Sequence, residues 1–156
     1  MLNSGEMTQK RDGYTLFELL VVVTIIGAVA ALAIPKVKGP MLRESVRSAR
    51  RAMVTQLAVA RSAAASRGCR SVVHVVAGAS ARSWVTTCLT VGTGVDTVGT
   101  VEQLSDRYSV SVVSSVDSIT FAPNGLAFGA GWASLKFNRV GYSDSLAVSP
   151  LGKAYW

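Results

Sequence analysis

A long apolar segment near the N-terminus limits the folds that are open to this chain. It runs from Leu19 to Ile34, contains Thr24 as its only polar side chain, and is followed directly by Pro35. As a helix, residues 14–34 would measure about 31 Å at ~1.5 Å per residue, which is close to the roughly 30 Å hydrocarbon core of a bilayer. The Thr24 hydroxyl can bond to a carbonyl of its own helix. We therefore predict a transmembrane helix over residues 14–35.

Glu18 places one carboxylate at the start of this apolar helix. A charge inside a membrane-spanning segment is costly and usually has a function. In the alternative interpretation, Glu18 lies at the level of the lipid headgroups, where the positive end of the helix dipole favours a carboxylate. The residues alone leave both interpretations open.

The stretch around this carboxylate resembles a known processing signal. The residues Gly13-Tyr14-Thr15-Leu16-Phe17-Glu18, with the apolar run behind them, resemble the class III signal of type IV prepilins and type II secretion pseudopilins. The resemblance implies that a prepilin peptidase cuts between Gly13 and Tyr14, removes residues 1–13 as a leader peptide, and methylates the new N-terminal amine. The usual residue after the cut is Phe, and Tyr14 keeps the aromatic ring.

The same resemblance implies roles for three residues of the helix. Glu18 would meet the N-terminal amine of a neighbouring subunit during assembly, in keeping with the rule that a buried charge persists only when it is paired. Gly27 and Pro35 would weaken the helix, so that the segment between them can unwind in the assembled filament. The implied partners are the prepilin peptidase, other pilin or pseudopilin subunits and the bacterial inner membrane.

An ordinary secretory signal peptide is the competing interpretation. The residues Ala31-Leu32-Ala33 have the small-x-small form of a signal-peptidase site, and cleavage there would release a soluble secreted domain beginning at Ile34. Two features argue against it, namely Glu18 within the apolar region and Pro35 just after the cut.

The positive charge of the chain is concentrated directly after the apolar segment. The formal net charge is +7, and nine basic residues but only one acidic residue lie between Lys36 and Arg70. Basic residues also precede the apolar segment, so charge does not decide its orientation. The resemblance implies a cytoplasmic leader, a single pass through the inner membrane, and a C-terminal part in the periplasm or, after assembly, at the cell surface.

Cys69 and Cys88 are the only cysteines of the chain. In the oxidising compartment that the resemblance implies, we predict that they form a disulfide. Two buried free thiols are the alternative. Their spacing is not that of a metal site, and His74 is the only histidine that could join them, so we predict no zinc site.

Residues 36–67 show the periodicity of an amphipathic helix. Apolar side chains recur every three or four residues, which predicts one buried face. A kink or pause is predicted at Gly39-Pro40, and Arg67-Gly68 is typical of a helix end. The predicted buried face consists of Leu42, Val46, Ala49, Met53, Leu57, Ala60 and Ala64.

Four arginines recur on a neighbouring face of this helix: Arg43, Arg47, Arg50 and Arg51. Three interpretations compete. The arginines could form a solvated face, contact anionic lipid headgroups, or pair with acidic faces of other subunits. Nucleic acid is a weaker fourth alternative. The sequence leaves these alternatives open.

Residues 68–156 have the composition of a β-rich domain, with β-branched runs separated by Gly, Ser and Asn. The residues Pro123-Asn124-Gly125 predict a hairpin turn between two strands, and a second strand pair is predicted around Ser105-Asp106. The predicted strands are residues 71–76, 82–91, 98–104, 108–113, 118–122, 126–128, 134–138, 145–149 and 153–156.

This part of the chain also resembles a narrower group. The resemblance to the GspH/FimT group of minor pseudopilins and minor pilins rests on Ala60-Arg61-Ser62-Ala63, the strand beginning at Arg70, the hairpin from Ile119 to Gly125, and the closing stretch from Leu146 to Lys153. It implies an α+β, pilin-like fold in which a long N-terminal helix packs on a β-rich head of antiparallel sheets. Members of this group lie at or near the tip of a type II secretion pseudopilus or a type IV pilus.

No motif in the sequence indicates an enzyme, a metal or a cofactor. A Ser-His-Asp set is lacking, and Gly92-Thr93-Gly94 is without the lysine and the following helix of a phosphate-binding loop. We therefore predict a structural minor pilin or pseudopilin. The alternative is a DNA receptor for natural transformation, as some members of the group are, for which Lys136, Arg139 and Lys153 are the candidate DNA-binding residues.

Overall fold

The computed structural model describes residues 14–88, 94–128 and 131–156, without the side chains of residues 32–37. The predicted leader, residues 1–13, and the end of the predicted strand 82–91 lie outside the described residues. The chain divides into two compact units, Met1–Lys38 and Gly39–Trp156.

Two helices and nine strands make up the described secondary structure. Helix α1 comprises 52 residues, Leu16–Arg67, and helix α2 is the short Leu104–Tyr108. The strands are β1 (Ser71–Val76), β2 (Arg82–Cys88), β3 (Val95–Gln103), β4 (Ser111–Ser114), β5 (Ser118–Phe121), β6 (Ala127–Phe128), β7 (Ala133–Arg139), β8 (Tyr142–Val148) and β9 (Ala154–Tyr155).

Helix α1 is not interrupted at Gly39-Pro40, where the sequence predicts a kink or pause. A Cβ on Gly39 would lie 3.3 Å from the hydroxyl oxygen of Tyr142, which is closer than an ordinary van der Waals contact. The glycine therefore leaves room for the end of the Tyr142 side chain against the helix. The helix ends at Arg67, as predicted, and Gly68 follows with a φ of 64°, the left-handed conformation typical of a helix terminus.

The predicted apolar face of α1 is buried in the core of the second unit. Ala49, Met53, Ala60 and Ala64 have no exposed surface, while Val46 and Leu57 are 2% and 4% exposed. The first member of the predicted face, Leu42, is half-buried. Helical periodicity alone thus identified the face that packs.

Two antiparallel sheets complete this core. One has the strand order β3-β2-β1-β5-β6 and the other β4-β7-β8-β9. In β1, β2, β5 and β7 alternate residues point inward, as expected for sheets with one covered face. The predicted fold class, a long helix with a β-rich head of antiparallel sheets, is confirmed. The largest fully buried side chains from the sheets and their connections are Phe121, Phe137, Leu104, Leu135 and Leu146.

The strand pair predicted around Ser105-Asp106 is wrong. Strand β3 pairs with β2, whereas β4 pairs with β7 in the other sheet. Helix α2 connects them, with Leu104 fully buried at its start and Ser109 at a φ of 53° just after its end. Because Leu104 is buried and the chain turns at Ser109, the chain passes from one sheet to the other, and β3 and β4 do not form a hairpin.

The hairpin predicted at Pro123-Asn124-Gly125 is confirmed. Strands β5 and β6 pair antiparallel, and Gly125 donates its backbone N–H to the carbonyl of Ala122 at 2.8 Å. The side-chain oxygen of Asn124 accepts a hydrogen bond from the N–H of Leu126 at 3.1 Å. Gly125 adopts a φ of 77°, which glycine reaches without steric cost.

A disulfide joins Cys69 and Cys88, with 6.3 Å between their Cα atoms. It connects the turn after α1 to the last residue of β2. Beside it, the Arg67 guanidinium donates hydrogen bonds to the carbonyl of Cys88 at 2.8 Å and to the carboxylate of Asp96 at 2.9 Å. The end of the helix is thus held to the sheet by a covalent bond and by Arg67.

Substitution Met53→Ala should lower the free energy of unfolding by about 2–5 kcal/mol, because it leaves a cavity in the core. Met41→Ala, at a position on the same helix that is 64% exposed, is the matched control and should cost much less. Urea denaturation of the full chain in mild detergent, followed by tryptophan fluorescence, measures both. Equal losses in the two variants would contradict the assigned core.

The double substitution Cys69→Ala/Cys88→Ala removes the disulfide and should lower the free energy of unfolding by roughly 3 kcal/mol. The reason is that the unfolded chain regains the conformational entropy that the closed loop had removed. The same denaturation experiment measures it. Reducing agent should destabilise the parent chain by a similar amount and leave the double variant unchanged. A parent chain that is insensitive to reduction would count against this bond.

Candidate functional site

The candidate assembly site lies at the N-terminal end of α1. Tyr14 is the first described residue and is 83% exposed, while Gly13, the residue before the predicted cut, lies outside the described residues. Thr15 precedes the helix, and its hydroxyl oxygen accepts a hydrogen bond from the backbone N–H of Glu18 at 3.1 Å. Thr15 therefore caps the helix.

Thr15 was not among the predicted site residues, although a local signal marks it. A Thr followed three residues later by Glu, ahead of an apolar run, is the capping-box pattern. The cap sets where the helix begins, and it therefore places Glu18 in the first turn. There the unpaired N–H groups of the helix terminus favour a carboxylate.

The carboxylate of Glu18 is exposed and forms no ion pair with any residue of the described part of the chain. A carboxylate can accept several hydrogen bonds from an ammonium group. The Glu18 carboxylate can therefore accept hydrogen bonds from a cationic group that lies outside the described residues.

The first turns of α1 expose large apolar side chains on every side. Nine of those between Leu16 and Val29 are 48% to 83% exposed, and Val21 is half-buried. A helix that is apolar all round requires a lipid or protein environment. As predicted, the Thr24 hydroxyl donates to its own helix, to the carbonyl of Val21 at 2.8 Å. The exposed residues include Leu16, Phe17, Leu19, Leu20, Val22, Val23, Ile25, Ile26 and Val29.

Within the described residues, no helix is both long enough and apolar enough to qualify as a membrane span. The predicted span, residues 14–35, includes residues 32–35, whose side chains are not described.

The backbone of α1 is helical through Gly27 and Pro35, the two predicted helix-weakening residues. A Cβ on Gly27 would meet no atom of the described residues within 4 Å, so packing against them does not require a glycine there. The side chain of Pro35 is among those that the structure does not describe. Unwinding between these residues in a filament stays a prediction.

Of the three candidate DNA-binding residues, Lys136 and Lys153 are exposed, whereas Arg139, which shares β7 with Lys136, is half-buried. Its guanidinium donates to the hydroxyl of Ser45 and to the carbonyl of Tyr108, the latter at 3.0 Å. Lys153 lies near the end of the chain, with its ammonium nitrogen 5.0 Å from the ring centre of Tyr155.

The contact to Tyr108 belongs to a small network at the end of α2. The Tyr108 hydroxyl donates to the carboxylate of Glu102 at 3.0 Å, and Arg107 bonds to the same carboxylate at 3.2 Å. Burial, together with the hydrogen bond to Glu102, raises the pKa of Tyr108 above its ordinary value. Arg139 therefore joins a structural network.

His74 has a structural environment. Its ring stacks on Trp84 with 4.9 Å between ring centres, and its Nε2 lies 2.8 Å from the hydroxyl oxygen of Thr86. Among the residues that the structure describes, no cluster of three or more His, Cys, Asp or Glu side chains could hold a metal ion.

Two protein-family models match the chain. The model described as the prokaryotic N-terminal methylation motif matches residues 8–34, and the model described as type II transport protein GspH matches residues 49–152. The first match covers the candidate cleavage site and Glu18. The second covers the buried half of α1 and most of the β-rich part. Comparison with curated protein sequences finds no match.

Crystal structures of the type IV minor pilin FimU from Pseudomonas aeruginosa strain PAO1 share the fold. One crystal form aligns with a TM-score of 0.56 at 15% identity, over 72% of this chain and 88% of FimU. A second form aligns with a TM-score of 0.53 at 15% identity, over 70% and 90%. The GspH model spans well over half of the sequence, and the methylation motif precedes it. This chain therefore belongs to the GspH family and is a minor pilin or pseudopilin of the GspH/FimT group.

Proposed function

We propose that this minor pilin or pseudopilin is cut by a prepilin peptidase between Gly13 and Tyr14, methylated on Tyr14, and assembled at or near the tip of a filament. The observation that carries the proposal is the first turn of α1. It combines a capped helix start, the exposed carboxylate of Glu18, and apolar side chains that are exposed on all sides. These features equip the helix for partners outside the described chain.

In the proposed assembly step, Glu18 pairs with the N-terminal amine of a neighbouring subunit. An apolar filament interior removes water from the carboxylate, and an isolated charge there would be strongly disfavoured. An ammonium group from the next subunit compensates that loss. Because removing one partner leaves the other charge buried and unpaired, subunits enter the filament only with this pair formed.

Before assembly, the exposed apolar surface of α1 anchors the chain in the inner membrane as a single span, with the second unit in the periplasm. The Cys69–Cys88 disulfide supports this placement, because disulfides persist in oxidising compartments and are rare in the cytosol. The fold and family are those of structural pilins, and assembly is accordingly the proposed activity.

Glu18→Gln should leave cleavage intact and lower incorporation into the filament by about tenfold or more, because the N-terminal amine of the neighbour loses its charge partner. Immunoblots of the membrane and sheared-filament fractions measure both quantities. Glu44→Gln is the matched control, since Glu44 is exposed and, among the described residues, forms its ion pair with the exposed Arg51. Normal incorporation of the Glu18 variant would refute the pairing.

The mature protein purified from membranes should begin at Tyr14 and be one methyl group heavier than the unmodified cut chain. Intact mass and N-terminal sequencing measure this. A chain that begins near Ile34 and is found free of the membrane would instead establish conventional signal cleavage. That result would refute the proposed membrane anchor and assembly.

A further inference from the structure

We propose that an arginine-lined cleft in the second unit binds the phosphate of an anionic phospholipid headgroup. The cleft lies between α1 and the start of β8 and has a volume of about 660 Å³. That volume is in the range of sites that hold small ligands. Its main lining residues are Arg43, Arg47, Arg50, Arg51, Tyr142 and Asp144.

Two contacts give the cleft a fixed wall. Arg50 forms an ion pair with Asp144, with 3.0 Å between nitrogen and oxygen, and its side chain is only 15% exposed. The guanidinium carbon of Arg43 lies 5.1 Å from the ring centre of Tyr142, in the geometry of a cation–π contact. Groups from β8 therefore hold two of the arginines in place.

Positive charge remains in the cleft after its ion pairs are counted. Asp144 pairs with Arg50, and Glu44 pairs with Arg51 at 2.8 Å. Arg43 and Arg47 have no carboxylate partner among the described residues. They lie four residues apart on the helix, so their side chains are neighbours. A guanidinium binds phosphate through two parallel hydrogen bonds, and this pair can accordingly hold one phosphate group.

The position of the cleft in the sequence favours a lipid as the source of that phosphate. Arg43 follows Pro35, the end of the apolar run, by only eight residues. Basic residues near a membrane surface gain about 1 kcal/mol each from anionic lipid. Tyr142 adds an aromatic ring with a polar tip, a residue type enriched at membrane interfaces. This step rests on the proposed membrane anchoring, and an acidic face of a neighbouring subunit is the competing occupant.

Native mass spectrometry of the full chain in nonionic detergent tests the proposal. Phosphatidylglycerol should remain bound to the parent chain, whereas phosphatidylcholine should not. Arg43→Gln/Arg47→Gln should weaken phosphatidylglycerol binding by about tenfold or more. The matched control is Arg107→Gln/Lys136→Gln, which removes the same charge from exposed positions outside the cleft and should retain binding. Equal lipid binding by both double variants would overturn the proposal.

Further measurements separate the other occupants. Competition by millimolar inorganic phosphate that removes the lipid completely would show a site for free phosphate and overturn the lipid assignment. Loss of filament incorporation in Arg43→Gln/Arg47→Gln, with lipid binding unchanged, would show an acidic protein partner instead. Because Arg43 and Arg47 are exposed, an unchanged melting temperature is expected and confirms that the variant is folded.

The outcome for the cleft is distinguishable from that for the proposed function. A mature chain that begins at Tyr14 but shows no preference for phosphatidylglycerol would refute the lipid site alone. A chain that is not cut after Gly13 would refute the proposed processing whatever the lipid measurement shows.

Discussion

Burial of one stripe of α1 is the interaction on which the second unit depends. Ala49, Ala60 and Ala64 are completely buried, and their small side chains allow close approach of the sheets, while Met53 and Leu57 fill the remaining space. A sheet with one apolar face must bury that face against another element. Both sheets and the helix contribute to a single core cluster. The part of α1 that lies in the second unit therefore completes the core of that unit.

Local signals predicted most of this fold. The periodicity of the helix, the Asn-Gly hairpin and the alternation of the strands all depend on residues close in sequence. The connection through α2 was missed because burial of Leu104 depends on partners far along the chain. The close contact between Gly39 and Tyr142 of β8 was missed for the same reason, since it joins residues far apart in the sequence. Sequence alone does not show which distant strand will approach a given residue.

The candidate site divides in the same way. Glu18 and its surroundings could be recognised from a contiguous motif, and the cap at Thr15 could have been recognised from the spacing of the two residues. Arg139 was counted among the candidate DNA-binding residues because it is basic and lies in the β-rich part. Its contacts with Ser45 and Tyr108 arise only in the folded unit, and they turn it toward the helix. The number of charged residues can be counted from a sequence, but the direction in which each charged side chain points in the folded protein cannot.

The covalent link between the end of α1 and the end of β2 has a mechanical consequence. Cys69 and Cys88 are 19 residues apart in sequence, and the closed loop contains the whole β1–β2 hairpin. When α1 and β9 are pulled apart, the force is transmitted from Cys69 to Cys88 through the disulfide, and the residues of the loop between them carry no load. The chain then yields roughly 60 Å less extension than an open chain of the same length, at ~3.3–3.6 Å per residue less the 6.3 Å between the two Cα atoms. Under load strands β1 and β2 stay together, and the strands after β2 are the ones that can be drawn out.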